Sequence, residues 1–362
     1  MISLKNLISR SPVGLGSLNF TDAPKIILKN QDGLEVQSYE ELKGFTISAD
    51  EEIYRKEKWD KVLEKHPTFY DGDVTAILDI VYDERDNELS FIMSKMKYSL
   101  SAAINDVEYP NQERRKDFIS FGIGMMADME INSDSLNSDL LMVRRSTKVL
   151  NEQNAISVPG GSLEYKAGKK DDVKKGMHQA VLSEVQEEVF PTADPARFKV
   201  SLMSVGWEKG GLNAYFNVVS QDKISQIDLE RGMKSAKDKY EHTGAFFVDT
   251  AGNNFDVSSK EVLKGDRFTV GQIINSGKLE ASGIHSLSAK VFQDAVSFNN
   301  KGIGFASMPH PQALAEKFLC EKFPDFTFLD VGMFKSKAPR EICWKPELVH
   351  LKKNDKEENR SK

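Results

Sequence analysis

The chain has 362 residues, 49 Lys and Arg against 55 Asp and Glu, and a formal net charge of -6. That length buries a sizeable core and allows two domains or one large decorated one, while the acidic balance argues against nucleic acid as the default partner. No apolar run approaches the roughly 18 residues of a membrane span, and Cys320 and Cys343 make neither a disulfide framework nor a zinc spacing, so a cytoplasmic, reducing compartment is expected.

Met1 to Phe20 carries Lys5 and Arg10 and several serines, with no acid before Asp22. Ile2, Leu4, Leu7 and Ile8 form an apolar face, a composition that suits an organelle transit peptide as well as a short ordered start. Pro24 to Thr46 reads as short strands and turns, with Asn30-Gln31-Asp32-Gly33 as a turn signal. Ser48 followed three residues later by Glu51 predicts a capping box, and an amphipathic helix that carries Ile53, Trp59, Val62 and Leu63, packs on the strands around it and ends near His66-Pro67. Val74 to Val81 and Leu89 to Met93 read as a hairpin joined by the polar Asp83 to Asn87. Glu108 to Lys116, with Pro110, reads as a linker and sets a boundary.

Beyond it, Phe118 to Asp128 and Leu140 to Val143 read as strands, and Ala155 to Val158 leads into Pro159-Gly160-Gly161. Val200 to Val205 and Leu212 to Val219 predict a second hairpin, turned at Lys209-Gly210-Gly211. Gln221 to Lys239 reads as helix, Gly244 to Val248 as strand, and Phe268 to Ile274 and Ser286 to Val296 as terminal helices. Pro311 to Phe323 is a further expected helix, and Lys352 to Lys362 is polar enough for a mobile tail.

The stretch with chemistry in it runs from Val158 to Phe190. The glycine pair is followed by Glu164, a lysine-rich passage, and then Ser183-Glu184-Val185-Gln186-Glu187-Glu188-Val189-Phe190. On a helix Glu184 and Glu188 lie one above the other, with Glu187 about a third of a turn from Glu188. Like charges at this spacing repel, so a cation belongs among them. Mg2+, which takes carboxylate and phosphate oxygens, suits them best. The alternative is a solvated acidic helix face.

These residues resemble the box of the Nudix hydrolases. Pro159-Gly160-Gly161 and Glu164 match its opening, and Glu184, Val185, Glu187 and Glu188 its helical core. The chain departs where Ser183 replaces the family's Arg, Phe190 its Gly and Lys175 its upstream Glu, and the loop after Gly161 is eight residues longer than the family spacing. The resemblance implies an α+β fold: an α/β/α sandwich with a mixed sheet over residues 117–298, after an α+β, β-rich N-terminal extension at 1–115. A C-terminal extension at 299–350 and a tail at 351–362 follow.

It also implies a division of roles. Glu184, Glu187, Glu188 and the Gly160 carbonyl bind Mg2+, with Mn2+ as a substitute. Glu187, Glu188 and a base, Glu241, carry catalysis, with Glu208, Asp238 and His242 as rivals for the base. Arg144, Arg145, Gly161 and Glu164 meet the substrate. Trp207, Tyr215 or Phe247 stack on a ring or belong to the core. The implied activity is cleavage of the diphosphate bond in a nucleoside diphosphate linked to another group, of the sugar-nucleotide or ADP-ribose class. The lost Arg and the Lys175 substitution point to the alternative, a Nudix-fold module that binds a nucleotide or a protein without hydrolysis.

Overall fold

The computed structural model describes residues 1–10, 16–20, 22–37, 39–67, 70–131, 139–147, 154–163, 173–208, 211–221, 224–250, 267–276, 278–300, 327–331 and 340–342. Glu164, most of the inserted lysines, both cysteines, the helix expected at 311–323 and the tail lie outside them.

The N-terminal part is built on a local hairpin. It holds β1 (Ile2–Ser3), α1 (Leu4–Arg10), β2 (Gly16–Phe20), β3 (Lys25–Asn30), α2 (Ala49–Lys65), β4 (Asp73–Asp83), β5 (Glu88–Lys97) and α3 (Tyr98–Ile104). β4 and β5 pair antiparallel through a turn in which Asn87 takes a φ of 50°, a left-handed conformation that asparagine tolerates. The first sheet runs β1-β4-β5-β3, with β3 parallel to β5. α2 begins with the predicted capping box, Ser48 and Glu51 each accepting from the other's backbone. Its buried side differs from expectation: Ile53 is exposed, whereas Trp59 and the carboxylate of Glu51 are buried. The expected linker is also folded. Tyr109 is buried, a 3-10 turn spans Gln112–Asp117, and Arg114 ties it back to Glu51.

The remaining elements are β6 (Gly124–Ile131), β7 (Asp139–Arg145), β8 (Ile156–Ser157), β9 (Gly160–Ser162), α4 (Val173–Glu188), β10 (Phe198–Glu208), β11 (Gly211–Ser220), α5 (Gln226–Ser235), β12 (His242–Asp249), β13 (Arg267–Thr269), α6 (Val270–Asn275), α7 (Ala281–Asn300), β14 (Thr327–Val331) and β15 (Arg340–Ile342). Three expectations shift. The strand expected from Phe118 starts at Gly124, because Ile119 and Ser120 bond instead to Ile77 of β4. The helix expected over 221–239 is held to Gln226–Ser235 by a Ser225 cap. Arg267–Thr269 is strand before the chain turns helical at Val270.

These strands form a mixed sheet ordered β13-β12-β7-β6-β11-β10-β2-β14-β15, with β8 on β7 and β9 on β6. Its members cross the boundary set at 115: β2 pairs antiparallel with β10, and β14 parallel with β2. Alternation along the strands sorts the two faces. Met125, Ala127, Met129 and Leu141 pack with Met177, Val181 and Val185 of α4. Met126, Leu140 and Met142 pack with Leu287, Ala289 and Val291 of α7. The sheet is therefore a middle layer between α4 and α7, and the first sheet joins the core on the α4 side, where α4 touches β3. Under α7 lies a polar seam: Ser286 bonds to Asp128, whose burial pushes its carboxyl up to about 7, and Lys290 pairs with Glu130 at 3.2 Å. No helix among the described residues is long and apolar enough to cross a membrane.

Candidate functional site

α4 carries Glu184, Glu187 and Glu188 in its last five residues. The C-terminal end of a helix is the negative end of its macrodipole. Three carboxylates there are disfavoured by each other and by the helix, and the structure brings compensating groups to them. The segment from Lys237 to His242 folds over this end. The Asp238 N–H donates to the Glu187 carbonyl at 3.0 Å, closing one of the helix's open carbonyls, and the Glu241 N–H donates to the Asp238 carbonyl at 2.9 Å. Ser146 N–H holds the Glu241 carbonyl at 2.7 Å, anchoring the segment to the end of β7.

The result is a hollow of about 450 Å³, lined by Gly160 and Gly161, the three glutamates of α4, and Lys237, Asp238 and Glu241. Glu187 lies at the rim in contact with Lys237, which is well exposed. Glu188 is at the floor, 4 % exposed, where it accepts from the Gly160 N–H at 3.1 Å. Burial pushes its carboxyl above the usual range, and the charge of Glu241 adds to the shift; His242 and the Gly160 N–H oppose it. His242 is itself 8 % exposed, with Nε2 3.1 Å from Glu188 Oε2. That contact falls outside hydrogen-bond geometry, so neither ring nitrogen has a hydrogen-bond partner among the described residues. Donor atoms of Glu188, Glu241 and His242 all lie within 4.8 Å of one another.

The glycine pair is not the sharp turn expected from its sequence. It forms β9, paired with β6, and neither glycine has a positive φ. Glycine is needed for close approach instead. A Cβ on Gly160 would sit 2.5 Å from the Met125 carbonyl, and one on Gly161 would sit 2.5 Å from Glu184 Oε2. Gly161→Ala is therefore expected to push the Glu184 carboxylate aside while leaving the fold intact, since the obstructing atoms end a flexible side chain. A displacement of about 1 Å at a reacting site can cost about 10²-fold in rate. Turnover and urea unfolding, measured side by side, check this.

Four sequence-predicted carboxylates, Glu184, Glu187, Glu188 and Glu241, thus converge with Gly160 and Gly161 on one hollow, which the rival Asp238 also lines. Arg144 and Arg145 do not line it. They end β7 opposite the start of β12, and Arg145 Nε lies 4.0 Å from Glu280. Trp207, Tyr215 and Phe247 are buried and belong to the core. Lys237 was not singled out by sequence reasoning, and His242 only as a rival base. A lysine four residues before a candidate base was the available signal for the first.

No family profile matches the chain, and a search of curated proteins finds no match. Sixteen solved chains match. Among them, DR0079 from Deinococcus radiodurans aligns at 11% identity with a TM-score of 0.27, over 57% of this chain and 99% of that one. A score that low bears on neither fold family nor function.

Proposed function

We propose that this chain is a Mg2+-dependent hydrolase that cleaves the diphosphate bond of a nucleoside diphosphate linked to another moiety, of the sugar-nucleotide or ADP-ribose class, in the manner of the Nudix enzymes its box resembles. The observation that carries the reading is the meeting of four glutamates, from α4 and from the segment before β12, around one hollow that two glycines also line. The donor set fits the ion. Carboxylate oxygens of Glu184, Glu187 and Glu188 with the Gly160 carbonyl are the hard ligands Mg2+ prefers, and the open side leaves room for phosphate oxygens. Bound there, the ion would offset phosphate charge and lower the pKa of a water beside it.

The protein's own groups do the rest. Glu241 faces α4 across the hollow, positioned to take a proton from water at its carboxylate. Gly161 lets Glu184 lie against the strand with no side chain between them. The Gly160 N–H fixes Glu188. The test is release of nucleoside monophosphate from a panel of sugar nucleotides and ADP-ribose with Mg2+. Product formation from at least one member supports the reading, and silence across the panel rejects it.

A second reading, a Nudix-fold module that binds without hydrolysing, is favoured by one observation: the ammonium of Lys237 already sits on Glu187, as a metal ion would. Under the hydrolase reading Lys237→Ala tightens Mg2+ binding and raises turnover at low Mg2+. Under the binding reading calorimetry shows a nucleotide held and unhydrolysed in both proteins.

A further inference from the structure

Behind Glu188, which lines the hollow, lies a side chain of different chemistry, and a fault in β12 is the reason. Along this strand Phe246 and Val248 face α7, while Ala245 and Phe247 face α4. Strict alternation would send the even-numbered His242 to the α7 face with Phe246 and Val248. The β12–β7 register slips between His242 and Gly244, however. A bulge of this kind inserts one residue and re-aims the side chain before it. It turns His242 to the α4 face, where its ring comes to rest against Glu188 at 3.1 Å. There the imidazole is more than nine-tenths buried, with both nitrogens lacking hydrogen-bond partners among the described residues. Apart from the Glu188 contact the ring nitrogens are buried without hydrogen bonds among the described residues, which costs free energy and leaves them open to a ligand.

We propose that Glu188, Glu241 and His242 form a mixed nitrogen–oxygen site for one divalent ion of the Mn2+, Fe2+, Co2+ or Zn2+ class, beside the hollow that the two glutamates line. Imidazole suits these ions, whereas Mg2+ prefers oxygen throughout. Bonds of about 2.0–2.2 Å to nitrogen and oxygen place the donors of one ion within about 4.4 Å of each other even on opposite sides. Only one pair of three donors can sit opposite, adjacent pairs lying about 3 Å apart; Glu188 and His242 already lie at 3.1 Å, and all three residues offer donors within 4.8 Å of one another. Glu188 and Glu241 supply the negative charge, and the rest of the hollow leaves further positions open. The site shares Glu188 with the Mg2+ set of the hydrolase reading, and it rests on that reading only for what the ion would be used for.

The experiment uses the full chain, stripped of metal with a chelator and titrated with Mn2+, Zn2+ and Mg2+ separately. Calorimetry is expected to give one tight equivalent of Mn2+ and of Zn2+, each at least about 10-fold tighter than Mg2+. Pulsed electron paramagnetic resonance of the Mn2+ complex is expected to show nitrogen-14 coupling from one imidazole. His242→Ala should abolish the coupling and weaken Mn2+ at least about 10-fold, and Glu184→Gln should keep it. Mn2+ bound without nitrogen coupling in the unaltered chain overturns the proposal, and that measurement needs no variant to fold. So does coupling that survives in His242→Ala. Nitrogen coupling in a chain that hydrolyses nothing leaves this site standing and removes the hydrolase reading; turnover without coupling does the reverse.

Discussion

Glu187→Gln is expected to lower turnover of the diphosphate substrate by about 10²–10⁴-fold at saturating Mg2+, the range that follows loss of a positioned acid–base or charge-stabilising group, with little change in folding. The substitution keeps the shape of the side chain and removes its charge. Glu187 stands at the rim, where its contact with Lys237 is open to solvent. A screened pair of this kind adds little to stability, so the loss should be confined to chemistry. Glu188→Gln makes the useful contrast. Its carboxylate is buried, receives the Gly160 N–H and lies against His242. Replacing it weakens the anchor of β9 as well as the site, so both turnover and urea midpoint should fall. Kinetics across a Mg2+ titration, with unfolding curves on the same samples, separate the two. Unaltered turnover in Glu187→Gln would remove Glu187 from the catalytic set and leave it a solvent-facing partner of Lys237.

The parts of this molecule legible from its sequence are those where neighbouring residues settle the matter. Ser48 and Glu51 cap α2 because both partners lie within one turn. The β4–β5 and β10–β11 hairpins follow from strands joined by short polar or glycine turns. The helix bearing Glu184, Glu187 and Glu188 was legible for the same reason. What could not be read depends on contacts distant in sequence. β2 and β14 join the large sheet from distant parts of the chain, and nothing in their own patterns names β10 as neighbour of β2 or β2 as neighbour of β14. Periodicity counts Ile53 among the apolar residues of α2, yet the buried side chain of its first turn is the charged Glu51, because Arg114 pairs with it. In the site, alternation along β12 points His242 the wrong way, and only the register slip reverses it. The glycine pair was visible, but its reason was not. Close approach of a β6 carbonyl and of Glu184 demands it, where torsional freedom was the natural expectation.

The ion pair between Arg114 and Glu51 carries the other large expected effect. Arg114 grips Glu51 with two parallel bonds of 2.8 Å, from Nε and from Nη2, and its guanidinium lies 5.4 Å from the centre of the Phe45 ring. Glu51 is 1 % exposed and also accepts from the Ser48 N–H at 2.7 Å. Arg114→Ala strands a buried carboxylate, and breaking such a pair from one side costs about 3–5 kcal/mol. The sign of the pH dependence identifies the cause. Hydrogen bonding to Arg114 holds the Glu51 carboxyl at about 2, against an ordinary 4.5, with burial opposing. A depressed folded-state pKa gives stability that is fully present above the unfolded value and is lost as pH falls from there through the folded one. The unaltered chain should therefore lose this contribution between about pH 4.5 and pH 2. In Arg114→Ala the carboxyl is buried without its cation and can relieve the cost by taking up a proton. The gap between the two proteins should then be widest near pH 7 and narrow toward pH 3. Urea unfolding across that interval measures it. A gap that stays constant with pH would place the loss in the packing of Arg114 on Phe45, and the folded segment at 112–117 would owe its attachment to that contact instead of to charge.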